Sequence, residues 1–160
     1  MALLNQNAHL FFGTIRENLT LGAPLASNDE IIRALQITNA LEIVEQKKEG
    51  LDHLILEGGV GFSGGQKQAL LLTRLLLRNP NIVLLDEPTA SIDDVSEKVL
   101  IQHLKEWLGH RTLVVATHRP AVLQLVDRII VVHEGKIIKD GPRDAILNPA
   151  QQANAGGSST

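Results

Sequence analysis

Two short apolar runs, Ile82-Val83-Leu84-Leu85 and Thr112-Leu113-Val114-Val115-Ala116, constrain this chain more than any other feature. Runs of this length, continuous rather than alternating, are expected of strands buried on both faces of a parallel sheet. A helical pattern over 95–108 separates them. Another, over 65–77, precedes the first and closes at Asn79-Pro80, because proline cannot continue a helix and biases its predecessor away from one. Strands alternating with helices predict an α/β fold.

The flanking segments extend the alternation. Met1-Ala2-Leu3-Leu4 reads as the end of a short strand. Ser27 with Glu30 fits a capping box ahead of Ile31, Ile32, Ala34 and Leu35 at helical spacing. A short helix is expected over 40–48, stopped by Gly50, and an apolar piece over 51–56 runs into Gly58-Gly59-Val60-Gly61. Ile129-Ile130-Val131-Val132 and Lys136-Ile137-Ile138 flank His133-Glu134-Gly135, a hairpin expected to form an antiparallel edge of the sheet. Gly141-Pro142 opens a last helix through Leu147. From Pro149 the composition collapses to small and polar residues, so 149–160 is expected to be a disordered tail.

Composition narrows the function classes. With 160 residues and 44% hydrophobic content, one domain with a core is expected. The net charge of −3 offers no broad cationic face, which argues against nucleic acid as a partner. There is no cysteine, excluding disulfides, Cys-ligated zinc and a thiol nucleophile. The longest apolar stretch, over 69–77, is broken by Arg74 and falls short of the roughly 20 residues that span a bilayer. Met1-Ala2-Leu3-Leu4 lacks the basic start and long apolar core of a signal peptide.

Chemistry concentrates where strands end. Asp86 and Glu87 sit at the carboxyl end of the first apolar run, where open α/β sheets place ligands. Two adjacent acids there can hold Mg²⁺ and accept a proton from water; equally, Asp86-Glu87-Pro88 can simply begin a loop. Ser63-Gly64-Gly65-Gln66 opens a helix, offering unobstructed N–H groups to an anion, or forming an ordinary glycine-rich turn capped by Ser63. Gly59-Val60-Gly61-Phe62-Ser63-Gly64 also satisfies G-x-G-x-x-G, the outline of a dinucleotide site, but Glu87 and Pro88 directly after Asp86 and the continuation into Gly65-Gln66 are foreign to that fingerprint. His9, His53, His103, His110 and His133 show no metal-ligand spacing.

Taken in order, these motifs resemble the nucleotide-binding domain of ABC transporters. Phe62-Ser63-Gly64-Gly65-Gln66 is similar to the signature motif, with Phe in place of the usual Leu. Ile82 to Glu87 resembles Walker B with its adjoining glutamate, Ala90-Ser91-Ile92-Asp93 the D-loop, and His118 the switch histidine. Gln6, ahead of Leu10-Phe11-Phe12-Gly13-Thr14-Ile15-Arg16-Glu17-Asn18, resembles the Q-loop glutamine of exporters, and Glu57-Gly58-Gly59 is similar to type I secretion ATPases. The resemblance implies a partial P-loop NTPase-like fold over 1–148, with a helical subdomain over about 14–78 and a RecA-like remainder over 1–13 and 79–148. It implies that two such domains sandwich ATP head to tail beneath the transmembrane domain of an exporter, at the cytoplasmic face of the inner membrane. Asp86 with Gln6 would organise Mg²⁺, Glu87 would polarise the attacking water, and His118 would contact the γ-phosphate. Ser63, Gly64, Gly65 and Gln66 would clasp nucleotide across the dimer, and Asp93 would connect the two sites.

One element is missing. The 160 residues contain no G-x-x-x-x-G-K-[ST] loop, and the sole Gly-Lys pair, Gly135-Lys136, is followed by Ile137. Three readings follow: the C-terminal portion of an exporter ATPase truncated ahead of the phosphate loop, an inactive binding or regulatory partner of an intact ATPase, or a dinucleotide-binding enzyme. The isolated chain is therefore expected to show no measurable ATP hydrolysis. A phosphate-release assay on the purified chain checks this, and Mg²⁺-dependent turnover abolished by Glu87→Gln would overturn it.

Overall fold

A computed structural model describes residues 1–148; the tail expected over 149–160 lies outside the described residues. The chain divides into two units, one spanning Met1–Ala121 and the other beginning at Val122.

In the first unit the order is β1 (Ala2–Leu4), β2 (Gly13–Thr14), α1 (Ile15–Thr20), α2 (Asn28–Ile37), α3 (Leu41–Glu45), β3 (Leu54–Ile55), α4 (Gly64–Leu77), β4 (Ile82–Asp86), α5 (Asp94–Leu108) and β5 (Thr112–Ala116). β1, β4 and β5 form a parallel sheet with β4 in the centre. The Ser27–Glu30 capping box is present at the start of α2. A second box, Thr14 with Glu17, starts α1. Its T-x-x-E signature stands in the sequence within the 10–18 segment. α3 ends three residues short of the expected 40–48 stretch, and the 51–56 piece yields as strand only the two-residue β3, paired antiparallel with β2.

Burial corrects the expectation that β4 and β5 are covered on both faces. Ala2, Leu4, Val83 and Leu85 are buried, whereas Leu3 and Val114, aligned through Leu84 in the register, are each 58% exposed. Period-two alternation puts neighbouring residues on opposite faces. Within this unit one face is core and the other carries apolar side chains at the surface. α4 packs on β1, with α1 and α2 on α4. Leu70 and Leu72 of α4 are fully buried.

Arg74, the charge that interrupts the apolar 69–77 stretch of that helix, has a structural account. Its Nε donates to the Asn18 carbonyl at 2.7 Å, Nη2 to Asn18 Oδ1 at 2.8 Å, and Nη1 to the His9 carbonyl at 3.1 Å. The side chain thus fastens α4 to the segment that leads into and through α1. The part-buried Asn18 carbonyl thereby gains a partner, while the bond to the His9 carbonyl lies at the exposed end of the contact.

In the second unit β6 (Arg128–His133) and β7 (Lys136–Pro142) form a hairpin, followed by α6 (Arg143–Leu147). Its turn is Glu134-Gly135 with φ of 48° and 73°, the all-positive pattern of a type I′ turn, whose twist suits flanking strands. Expectation placed this hairpin as an edge of the parallel sheet; instead β6 and β7 hydrogen-bond to each other as a two-stranded sheet of their own. The two-residue turn sets their register locally, and Arg128 pairs with Asp140 across the strands at 2.7 and 2.8 Å.

The one-sided core gives a contrast to test. Leu85→Ala is expected to destabilise the chain by about 2–5 kcal/mol. Val114→Ala, on the open face, should stay within about 0.5 kcal/mol. Urea unfolding of the two variants measures the difference.

Candidate functional site

Three parallel strands end at one edge of the sheet, and the chemistry gathers there. Asp86 is the last residue of β4 and lies opposite Ala116, the last of β5. Gln6 follows two residues after β1, exposed in a turn closed by the Ala8 N–H on the Asn5 carbonyl at 3.1 Å. Glu87 continues β4 by one residue, donating its N–H to the Ala116 carbonyl at 2.9 Å. Its φ is 46°, in the left-handed region, which costs a non-glycine residue roughly 1 kcal/mol.

That conformation turns the Glu87 carboxylate onto the residues following β5. Oε1 accepts the His118 N–H at 3.0 Å and lies 2.7 Å from His118 Nδ1, while Oε2 accepts the Thr117 hydroxyl at 3.2 Å. The acid is sheltered, its side chain 17% exposed; the imidazole is 80% exposed. A carboxylate oxygen accepts, so Nδ1 carries the proton in this contact and Nε2 is left for another partner. Asp86 is half-buried, and its carboxylate has no hydrogen-bond partner among the described residues.

The second cluster is the start of α4. Ser63 and Gln66 form a reciprocal capping box, the Gln66 N–H to Ser63 Oγ at 3.2 Å and the Ser63 N–H to Gln66 Oε1 at 3.0 Å. The N–H groups of Gly64 and Gly65, in the first turn, have no intrahelical acceptor and can serve an anion. The glycines are also required from within. A Cβ on Gly65 would lie 2.9 Å from the Ser91 carbonyl oxygen, and one on Gly64 would lie 3.1 Å from Ser91 Cβ. Phe62 is buried, with the His53 ring at 6.2 Å and Lys47 Nζ 4.7 Å from its centroid, so the larger aromatic is accommodated.

Asp93 is the N-cap of α5, accepting the Val95 N–H at 3.1 Å and the Ser96 N–H at 3.0 Å. The Ser96 amide above all holds its carboxyl below the ordinary aspartate value. The structure therefore brings Asp86, Glu87 and His118 to one edge with Gln6 at the adjoining strand end, sets Ser63 to Gln66 beside Ser91, and gives Asp93 a capping task. Sequence reasoning missed Thr117 and Arg119, for which the only signal was a polar triplet around His118.

No group of three or more His, Cys, Asp or Glu side chains suited to a metal occurs among the described residues. That donor set does not suit a resident metal cage. It does suit Mg²⁺ delivered with a nucleotide, since that ion takes one or two carboxylates and completes its shell with water and phosphate oxygens.

The family model described as ABC transporter matches residues 1–90, which include Gln6, Ser63 to Gln66, Asp86 and Glu87. The chain belongs to the ABC transporter family. Among its ABC transporter relatives, an ATP-dependent lipid A-core flippase of Chromobacterium violaceum is 37% identical over 92% of this chain. The glutathione/L-cysteine transport system ATP-binding/permease protein CydD of Haemophilus influenzae is 44% identical over 88% of it. A bacterial Atm1-family ABC exporter with ATP bound matches 99% of the chain with a TM-score of 0.84 and 27% identity. The chain spans 25% of the length of the flippase, 24% of CydD and 29% of the exporter chain. Its α/β fold with a parallel sheet is that of the ABC ATPase part of the exporter. No helix among the described residues is long and apolar enough to cross a membrane.

The Asp93 cap predicts a pH dependence. A carboxyl depressed in the folded state adds stability that is full above its unfolded value, near about 3.9, and is lost as pH falls through the folded value. At neutral pH Asp93→Ala should destabilise more than Asp93→Asn, because Asn still caps. The advantage of Asp over Asn should fade below about pH 3.9 in a pH series of urea unfolding. An advantage unchanged in strong acid would count against the cap.

Proposed function

We propose that this chain forms part of the ATP-hydrolysing domain of an ABC exporter and drives transmembrane export. The observation that carries the reading is the Glu87 carboxylate. It is held at the end of the central strand by Thr117 and His118, one residue beyond the unpartnered Asp86. Phosphoryl transfer depends on positioning and charge stabilisation more than on covalent chemistry, and a fixed acid beside a metal-holding acid supplies both.

In this reading Glu87 orients and deprotonates the attacking water, and His118 uses Nε2 toward the γ-phosphate. Asp86, with Gln6, holds Mg²⁺, which would neutralise charge on the phosphates. Ser63, Gly64, Gly65 and Gln66 face nucleotide bound by a second ABC ATPase domain in a head-to-tail pair, and Asp93 lies between the two sites. Residues 14–78 act as the helical subdomain, with 1–13 and 79–148 as the RecA-like remainder. No G-x-x-x-x-G-K-[ST] loop occurs in these 160 residues, so in this reading the phosphate grip is supplied from outside them. Placement is at the cytoplasmic face of the inner membrane against an exporter's transmembrane domain. Type I protein secretion as the particular route rests on Glu57-Gly58-Gly59 alone.

One observation favours a second reading. A signature face without a phosphate loop suits a non-hydrolysing partner that lends α4 to an intact ATPase. In the assembled ATPase, Glu87→Gln in this chain is expected to lower ATP turnover about 100-fold or more while ATP binding persists. Turnover within threefold of wild type would remove the hydrolytic role. If Ser63→Arg still abolished turnover in that case, the lending role would stand alone.

A further inference from the structure

Beside the Glu87–His118 pair, Arg119 fills a position that the hydrolytic reading leaves without a role. Its Nη1 donates to the carbonyls of Thr89 and Ile92, each at 3.1 Å. Nη2 donates to Asp94 Oδ1 at 2.8 Å and Glu97 Oε2 at 2.9 Å, and Nε lies 2.8 Å from Glu97 Oε1. A guanidinium carries its N–H donors in a rigid fork, and here four hydrogen bonds leave its two terminal nitrogens, while Nε meets Glu97 Oε1 as an ion-pair contact without hydrogen-bond alignment. The Glu97 side chain is 5% exposed and that of Arg119 is 20% exposed, so this is a sheltered pair rather than a solvated surface contact.

The backbone of the same residue reaches the other way. The Arg119 N–H donates to Thr117 Oγ1 at 3.0 Å, and that hydroxyl donates to Glu87 Oε2 at 3.2 Å. Between the two carbonyls that Arg119 grips stands Ser91, whose own carbonyl abuts Gly65 at the start of α4. A continuous set of contacts therefore runs from the acid at the end of β4, through Thr117 and Arg119, to the 89–94 loop and the signature glycines.

We propose that Arg119 is a positioning residue that couples the Glu87–His118 pair to the 89–94 loop and thereby to the N-terminus of α4. The coupling rests on geometry within one chain; its meaning rests on the reading above. In a head-to-tail pair, Glu87 and the start of α4 serve different nucleotides, so Arg119 would let each site register the state of the other.

Amide hydrogen exchange on the full 160-residue chain reads the coupling directly. Arg119→Gln is expected to speed exchange at least tenfold at Ile92 and His118, with the interior of α4 within threefold of wild type. Thr117→Val, which removes the bridging hydroxyl and leaves the guanidinium, should speed exchange at Ile92 threefold or more although the two residues are far apart in sequence. A loop at 89–92 indifferent to Thr117→Val, or exchange that rises uniformly along the chain, overturns the proposal. Thr117→Val also decides the matter if Arg119→Gln does not fold. In the assembled ATPase, Arg119→Gln should lower kcat at least tenfold with KM unchanged, a split that general destabilisation does not produce. A wild-type assembly without turnover would sink the hydrolytic reading and leave the exchange data to judge this one.

Discussion

The parallel register between β4 and β5 is the constraint on which the candidate site depends. Pairing Asp86 with Ala116 brings the residue after each strand to the same level, so Glu87 meets Thr117 and His118 with only one backbone bond, from its N–H to the Ala116 carbonyl, to fix the approach. A slip of one residue would turn side chains to the opposite face and part the acid from the imidazole. The burial pattern protects the register, because only one phase of the strands places Val83 and Leu85 in the core.

Polar contacts do the remaining assembly where apolar packing cannot discriminate. α4 is apolar around much of its surface, and such a helix could rotate or slide with little change in buried area. Arg74 removes that freedom by bonding to Asn18 and His9 at fixed points along α1 and its approach. At the helix start, Ser91 sits so close to Gly64 and Gly65 that no other side chain fits without displacement. The same glycines thus leave their N–H groups unobstructed and make room for a loop.

Much of this was legible in the sequence. Ser27 and Ser63 announce their capping boxes, Asn79-Pro80 marks the end of α4, and the β4 and β5 runs stand out by composition. What misled was uniform hydrophobicity. Leu3, Leu84 and Val114 look like core residues in one dimension, and only the alternation of burial reveals an open face. The hairpin misled for a related reason, since a turn specifies which strands pair locally but says nothing of which sheet they join. Thr117 and Arg119 were illegible because their importance arises from partners about 25 to 30 positions away, which no local pattern encodes.

The backbone of Glu87 has a consequence for redesign. Glycine and asparagine tolerate its left-handed conformation far better than glutamate, so folding stability alone would favour replacing it. A protocol that ranks substitutions by thermal robustness would select for a sturdier chain at this position and, in doing so, strip out the one carboxylate that the surrounding hydrogen bonds are arranged to receive. Where stability and chemistry disagree at a single residue, the residue that survives records which of the two selection has favoured.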